Sequence, residues 1–465
     1  MNKLFFTIWF YSIVQIGYGQ DFSRFFLDTA ELQTANTILR ETSGKLWVGG
    51  TKLPTGGSNL VAWLYRIDES GNVIQRFKFP AVGTQTWVGM VELTEGKIAA
   101  MIGQRGPSGI TENWMAVLDT SQILSFQRIE GADNAILDHC STDFEGNVFS
   151  CGFIGTAGPA GNNFWVGKIS PPGILRWVFD DYTSPNDHAA QTKLGPDYRL
   201  YVAGTVQNQG YNPYVACLDT SGFLVWDIAV STPWNDGGRA LSFDSLGRIW
   251  LVGESSTSAG PLFDNELIIV DQNGQLVWQQ WIGGPGQEAA FAIQKAKQNG
   301  FWVGGYSNAA TAGTGPISPF LMRVNSAGES LGEAFWPQTA PSPVYDLIVN
   351  GDSVFYLCGI SNDKAYVLKR KNPELSSVFV VSNSPTVIPR NQNSFWLDSK
   401  SGKIHFKNSY PKQKTMLLTD IQGRIIQKWE DEEPFLKTQI PGLYLLWGLN
   451  SKNEKSLLGK IMQVE

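Results

Sequence analysis

The chain of 465 residues carries 49 glycines and 17 tryptophans but only 17% charged residues, which suits many short strands and tight turns and excludes a disordered chain or a helical bundle. A formal net charge of −6 leaves no basic excess to neutralise phosphates, so nucleic acid and anionic membrane surfaces are poor partners. The length exceeds what one hydrophobic core usually supports, so two folded units or a repeat array are expected.

The first element is a leader. Lys3 supplies a positive start, Leu4 to Ile16 form an apolar run, and Gly17-Tyr18-Gly19 places small residues where a signal peptidase cuts. Residues 1–19 are therefore expected to be a signal peptide, with a mature chain from Gln20 that is secreted or held at the outer cell surface. No later stretch approaches the roughly 20 apolar residues of a membrane helix, so no membrane span is expected. The leader ends without a cysteine, which gives no indication of lipid attachment.

A short apolar segment ending in glycine then recurs, as Leu46-Trp47-Val48-Gly49-Gly50, Ala99-Ala100-Met101-Ile102-Gly103, Phe149-Ser150-Cys151-Gly152, Tyr201-Val202-Ala203-Gly204, Trp250-Leu251-Val252-Gly253, Trp302-Val303-Gly304-Gly305 and Tyr356-Leu357-Cys358-Gly359. The last glycines stand at 50, 103, 152, 204, 253, 305 and 359, a period of 48 to 54 residues. Each copy is followed by a loop of small polar residues, a strand closing on a turn residue such as Asp68, Asp119, Asp219 or Asp271, and a fourth strand beyond a glycine. Trp177, Trp226 and Trp278 each lie four residues after such a glycine and read as blade-to-blade packing. An Ala-rich strand precedes each motif, giving four strands per period, the length and content of a propeller blade. The fold class is all-β: a seven-bladed β-propeller over residues 20–382, a polar linker at 383–392, and a small C-terminal β-sandwich over 393–465. Two segments compete to complete the seventh blade, Phe22 to Leu27 and Ser377 to Val381.

The run from Trp278 through Gly283-Gly284, Glu288-Ala289-Ala290 and Gly300-Phe301-Trp302-Val303-Gly304-Gly305 to Asn325 resembles propeller repeats of secreted Bacteroidetes proteins. Asp219, Gly222 and Trp226 resemble the tryptophan-docking pattern of quinoprotein-type propellers, which implies packing and not a bound quinone. The C-terminal unit resembles the sorting domain of type IX secretion cargo. The matching runs are Leu418-Thr419-Asp420-Ile421-Gln422-Gly423-Arg424, Pro441-Gly442-Leu443-Tyr444-Leu445-Leu446 and Gly459-Lys460-Ile461-Met462. The resemblance implies type IX machinery as a partner and Asp420, Gly423, Arg424, Gly442, Tyr444 and Lys460 as motif residues. The Tyr-Pro-Asn-Pro opening usual in that family is replaced here by Ser384-Pro385 and Ile388-Pro389.

Chemistry is sparse. The three histidines, at 139, 188 and 405, have no metal-binding spacing, and no nucleophile elbow or phosphate loop appears, so neither metal nor cofactor is expected. Ser242, Asp244, Gly247 and Trp250 approximate a sialidase-type turn but read as an ordinary hairpin. The four cysteines read as buried thiols, with Cys140 and Cys151 the one pair that could meet across a hairpin. Asp133, Asp187, Asp236 and Glu288 stand at the starts of four successive inner strands and are candidates to line one channel mouth. Trp87 and Trp234 add aromatic groups on the same face, where the longer connections gather. The expectation is a non-catalytic binding protein that presents this face to an extracellular glycan or protein. An extracellular carboxylate-dependent hydrolase or lyase acting on polysaccharide is the alternative. A purely structural surface-layer component is the third possibility.

Overall fold

The computed structural model describes residues 32–375 apart from 82, 156–160, 182–185, 209, 232–233, 257–262, 284–285, 309–314, 337, 339 and 374, together with Phe22–Phe25 and six C-terminal strands. Seven four-stranded antiparallel sheets form the blades of a propeller. Their innermost strands are Leu32–Arg40, Thr84–Glu92, Ala135–Thr142, His188–Leu194, Asp236–Phe243, Glu288–Lys295 and Val344–Asn350. In six blades the chain runs outward through four consecutive strands; the seventh takes its outermost strand from the N-terminus, where Phe22–Phe25 pairs with Lys364–Lys371. The competing segment, Ser377 to Val381, lies outside the described residues, as do the leader and the linker. Among the described residues no helix is long and apolar enough to cross a membrane.

Beyond residue 392 six strands are described. Phe395–Leu397 pairs with Ile404–Phe406, and a four-stranded sheet runs in the order Ile425–Glu430, Thr415–Asp420, Gly442–Leu449, Lys455–Gln463. Asp420 is in register with Tyr444, and Lys460 with Leu445. Gly423 and Arg424 lie outside the described residues.

The propeller has no single core. Seven apolar layers lie one between each pair of neighbouring blades, as where Tyr201, Val215 and Cys217 of the fourth blade meet Leu241, Leu251 and Ile268 of the fifth. Alternation along a strand sends successive side chains into different layers. That explains the thiols: Cys140 enters the layer between blades two and three, Cys151 the layer between three and four, and all four cysteines are free and buried. Burial pushes the Cys140 thiol up to about 12.

The outer tryptophans join blades as expected. Trp177 Nε1 donates to the carbonyl of Thr220 in the next blade (3.1 Å), and Trp226 Nε1 to that of Gln272 (2.9 Å). The ring covers the turn glycine, so a Cβ on Gly222 or Gly274 would stand only 2.7 or 2.8 Å from the indole. Both glycines also have positive φ, 90° and 81°, so the turn and the docking need glycine for separate reasons.

The glycine that ends each motif has a different cause. Every innermost strand carries one residue too many for its partner, a bulge at Asn36, Val88, Asp138, Ala190, Arg239, Phe291 and Tyr345. In six blades the residue before the bulge faces the motif glycine, 50, 152, 204, 253, 305 or 359; in the second blade the register places Ile102 there and Gly103 one step on. The bulge drives an inner-strand carbonyl towards that glycine: a Cβ on Gly253 would lie 1.8 Å from the Gly237 oxygen, and one on Gly305 1.9 Å from that of Ala289. Backbone cannot swing aside as a side-chain tip can.

A bulge also leaves backbone N–H groups without ladder partners. In three blades the preceding blade supplies one, from the residue just after its own bulge. Asp346 Oδ2 accepts from Ile38 N–H (2.9 Å), His139 Nδ1 from Thr192 N–H (3.4 Å) and Gln191 Oε1 from Leu241 N–H (2.7 Å). Burial pushes the His139 imidazole down to about 4, with the Lys193 charge adding to the effect. Burial raises the Asp346 carboxyl to about 6 against two backbone N–H donors and Lys193.

Two predictions follow from this geometry. Gly253→Ala should lower the stability measured by urea unfolding by at least the ~1–3 kcal/mol typical of overpacking, because the clash is with backbone. Gly146→Ala, whose Cβ would meet nothing within 4 Å, reports the cost of positive φ alone. The second concerns pH. His139 has its folded pKa below the ordinary 6.5, so its contribution is present above 6.5 and lost as pH falls through about 4. Asp346 works oppositely, losing its contribution as pH rises through about 6. His139→Gln keeps an acceptor for Thr192 N–H and removes only the first component, so its urea midpoint should fall less than that of the wild type between pH 6.5 and 4. Parallel curves would exclude His139 as the titrating group.

Candidate functional site

The face bearing the connections between second and third strands is uneven. In the fourth blade that connection is 208–210 and in the seventh only Asn362–Asp363, whereas in the fifth it spans 256–263. The short fourth-blade loop leaves a cleft of about 260 Å³ between blades four and five, bordered by His188, Thr205, Tyr211, Asn235, Arg239 and Glu254.

One inner-strand bulge residue, Arg239, lines this cleft. Arg239 is ion-paired with Glu254 of the adjoining strand, and its guanidinium lies 5.5 Å from the ring centre of Phe291, the next bulge residue. Phe291 in turn meets Tyr306 at 5.6 Å and Tyr345, the bulge residue of the seventh blade, at 6.2 Å. Burial raises the Tyr306 phenol, and the Glu254 charge raises it further, so it stays a hydrogen-bond donor at neutral pH. Across the mouth, Asp138 of the third blade is 2.6 Å from His188 Nε2. A carboxylate can only accept, so Nε2 carries the proton. Phe153 packs edge-on against that imidazole at 5.5 Å. Both groups thus combine a carboxylate-bearing pair with an aromatic ring. Among the described residues no cluster of three His, Cys, Asp or Glu side chains is close enough to hold a metal ion.

The carboxylates singled out in the sequence have a different setting. Asp187, Asp236 and Glu288 do begin consecutive inner strands, but they are 0%, 2% and 3% exposed. Asp187 Oδ1 accepts from Gln207 N–H (3.0 Å), Asp236 Oδ1 from Ser255 Oγ (2.5 Å) and Glu288 Oε1 from Ser307 Oγ (3.3 Å). Counted three residues back from the bulge, the same column contains Gln33, Gln85, Ala135 and Ser342, all buried. Seven buried residues share this register position, and five of them bond through their side chains to the second strand. Of the three carboxylates, Asp236 also borders the cleft. Asp133 is not in the column; Ala135 is, and Asp133 instead accepts from Arg128 at 2.7 Å. Their common acidity in sequence masks a two-residue offset in register.

The two tryptophans are likewise committed to packing. Trp87 is 6% exposed, lies between the first two blades, and donates through Nε1 to Thr37 Oγ1 (2.8 Å). Trp234 is half-buried and meets Trp281 edge-to-face at 5.3 Å. The Asp244 turn is the expected hairpin: its carboxylate accepts from Leu246 N–H, Arg248 N–H, Arg248 Nε and Trp250 Nε1. Sequence reasoning missed Asp138, His188, Arg239, Glu254, Phe291 and Tyr345. Four of them, Asp138, Arg239, Phe291 and Tyr345, share the bulge position, which becomes visible only once the register is known.

No family model matches the sequence, and no curated protein matches it. Solved structures do match. A catalytically inactive variant of virginiamycin B lyase from Staphylococcus aureus with quinupristin is 14% identical at a TM-score of 0.48, over 75% of this chain and 99% of that one. A puromycin hydrolase is 14% identical at 0.48, over 82% of this chain and 59% of that one. PorZ, an essential surface component of the type IX secretion system of Porphyromonas gingivalis, is 11% identical at 0.37, over 90% and 69%. Similarity at this level assigns no activity. It does correct the expectation of a non-enzyme: the matching structures include a lyase and a hydrolase, so the fold leaves catalysis undecided.

Proposed function

We propose that this protein is an exported glycan-binding propeller, with its ligand at the mouth formed by the bulge residues of blades three to seven. The observation that carries this reading is the contrast between two columns of the same strands. The column three residues before the bulge is buried in every blade and spends its polar atoms on the fold. The bulge column itself is Asn, Val, Asp, Ala, Arg, Phe and Tyr, with only Val88 buried. A position that packing does not constrain, yet that collects an ion pair and two aromatic rings beside a cleft, suits a ligand with both hydroxyl groups and apolar ring faces. Sugars have both. On a glycan array, Arg239→Ala and Tyr345→Ala should each weaken binding at least tenfold, about 1.4 kcal/mol. Full affinity in both variants would remove the mouth from consideration.

One observation favours a second reading. His188, held through Nε2 by Asp138 at the cleft edge, has the form of a base oriented by a carboxylate. Acting on a bound polysaccharide, it would make the protein a hydrolase or lyase. Release of new chain ends from a bound glycan, abolished in His188→Ala while binding persists, would establish this.

Export belongs to the same proposal. Its support is the leader at residues 1–19 and the sorting-domain resemblance of 393–465, read as a β-sandwich carrying Asp420, Gly423, Arg424, Gly442, Tyr444 and Lys460. Deleting residues 384–465 should hold the propeller inside the outer membrane of a cell with type IX machinery. Undiminished secretion of the truncated chain would overturn it.

A further inference from the structure

The opposite face of the propeller, where the hairpins are tight, carries an unusual turn. In blades one, three and five the hairpin between the first two strands closes with the N–H of a glycine on the carbonyl three residues earlier: Gly44 on Glu41, Gly146 on Asp143 and Gly247 on Asp244. These glycines have φ of 90°, 82° and 74°. The fourth blade makes the same hydrogen bond, from Tyr198 N–H to Gly195 O (3.1 Å), and Tyr198 has φ 61°. An aromatic residue thus takes a left-handed conformation that the equivalent blades give to glycine, a strained choice for a bulky side chain. Packing does not explain it. Tyr198 is 64% exposed, and its one ring partner among the described residues, Phe144 at the tip of the third-blade hairpin, is 77% exposed at a centroid distance of 5.7 Å.

We infer that Phe144 and Tyr198 form a second ligand site on the tight-turn face, and that the ligand is an uncharged polysaccharide stacking on the two rings. Strain retained without a packing return points to function. The footprint then selects the ligand. Two aromatic side chains offer at most some 300–500 Å², well below the ~800 Å² per partner of a stable protein interface. Asp197 and Arg199 flank Tyr198 as an ion pair and Glu145 follows Phe144, so the site offers no excess of positive charge to an anionic membrane. Sugar rings need little area and use such carboxylates as acceptors for their hydroxyl groups. A cleft of about 390 Å³, with Pro196 and Asp197 in one wall and Gln272 and Lys295 in another, opens at the same turn and lies within the range that takes a small ligand. It would receive the next sugar of the chain.

This site is independent of the channel mouth, and its test keeps the two apart. The full chain carrying Arg239→Ala and Tyr345→Ala is run in native gels containing hydroxyethylcellulose or xylan and is also mixed with insoluble chitin or cellulose. Retention is expected to persist in that background. Adding Tyr198→Gly or Phe144→Ala should reduce it at least tenfold. Tyr198→Gly should leave the thermal unfolding midpoint unchanged or higher, because glycine relieves the left-handed strain. A lowered midpoint with retention intact would make the ring a packing element and overturn the proposal. So would a background variant that binds none of these polysaccharides, or one that is captured instead by phosphatidylethanolamine and phosphatidylglycerol vesicles. Loss of all binding on Arg239→Ala and Tyr345→Ala alone would assign the glycan to the mouth and likewise refute the second site.

Discussion

The contact on which the ring depends is a backbone carbonyl pressed against a glycine. Each inner strand carries one extra residue, and the strand bends at that point, bringing its carbonyl to where a Cβ of the neighbouring strand would stand. The bend is shared by all seven blades. In every blade but the second it leaves the bulge side chain outside the buried layers, and it frees N–H groups that three blades satisfy through the previous blade. Blade spacing, channel chemistry and part of the inter-blade bonding therefore share one cause. At six of the blades a side chain at the glycine would clash with that carbonyl; the second blade, with Ile102 at the same register, keeps its bulge without the contact.

This cause also separates what the sequence discloses from what it hides. Six of the seven Gly-ended motifs are legible because the glycine faces an inner-strand carbonyl of its own blade, and the docking tryptophans because each sits at a fixed distance from a turn glycine. The bulge that creates the demand is not legible. An insertion present in every copy changes no spacing between copies, so the period looks regular whether or not the strands pair evenly. Asp133 shows the consequence: grouped with Asp187, Asp236 and Glu288 by residue type, it stands two residues from their column. With period-two alternation, an offset of two keeps the face but changes the neighbours. The mouth residues escaped notice for the same reason, since they vary in type and align only through register.

Ring closure adds a second constraint. Phe22–Phe25 completes the seventh blade, whose other three strands come from the far end of the repeat. Layers between blades then form an unbroken circuit, with Tyr356, Cys358 and Val367 of the seventh blade packed on Ala35, Val48 and Trp63 of the first. Because no blade buries both its faces alone, loss of any layer exposes two sheets. Inter-blade ties such as Lys369 Nζ to the Glu69 carbonyl (2.8 Å) and Trp302 Nε1 to Asp352 (3.0 Å) hold the tight-turn face in the same circuit.

Where the fold is this repetitive, departures from the repeat become informative in themselves. A structural role is met similarly in each blade, as the buried column three residues before the bulge shows by being buried seven times. Two places break the pattern without a packing reason. At the bulge the residue type changes from blade to blade while the backbone does not, and at the fourth-blade hairpin a tyrosine holds the conformation its counterparts give to glycine. The first departure costs the fold little, because the bulge side chain lies outside the buried layers in every blade but the second. The second is strained, and the strain falls on a side chain that solvent surrounds. Backbone preference alone would put glycine there, as in blades one, three and five, and the second-site proposal rests on that departure.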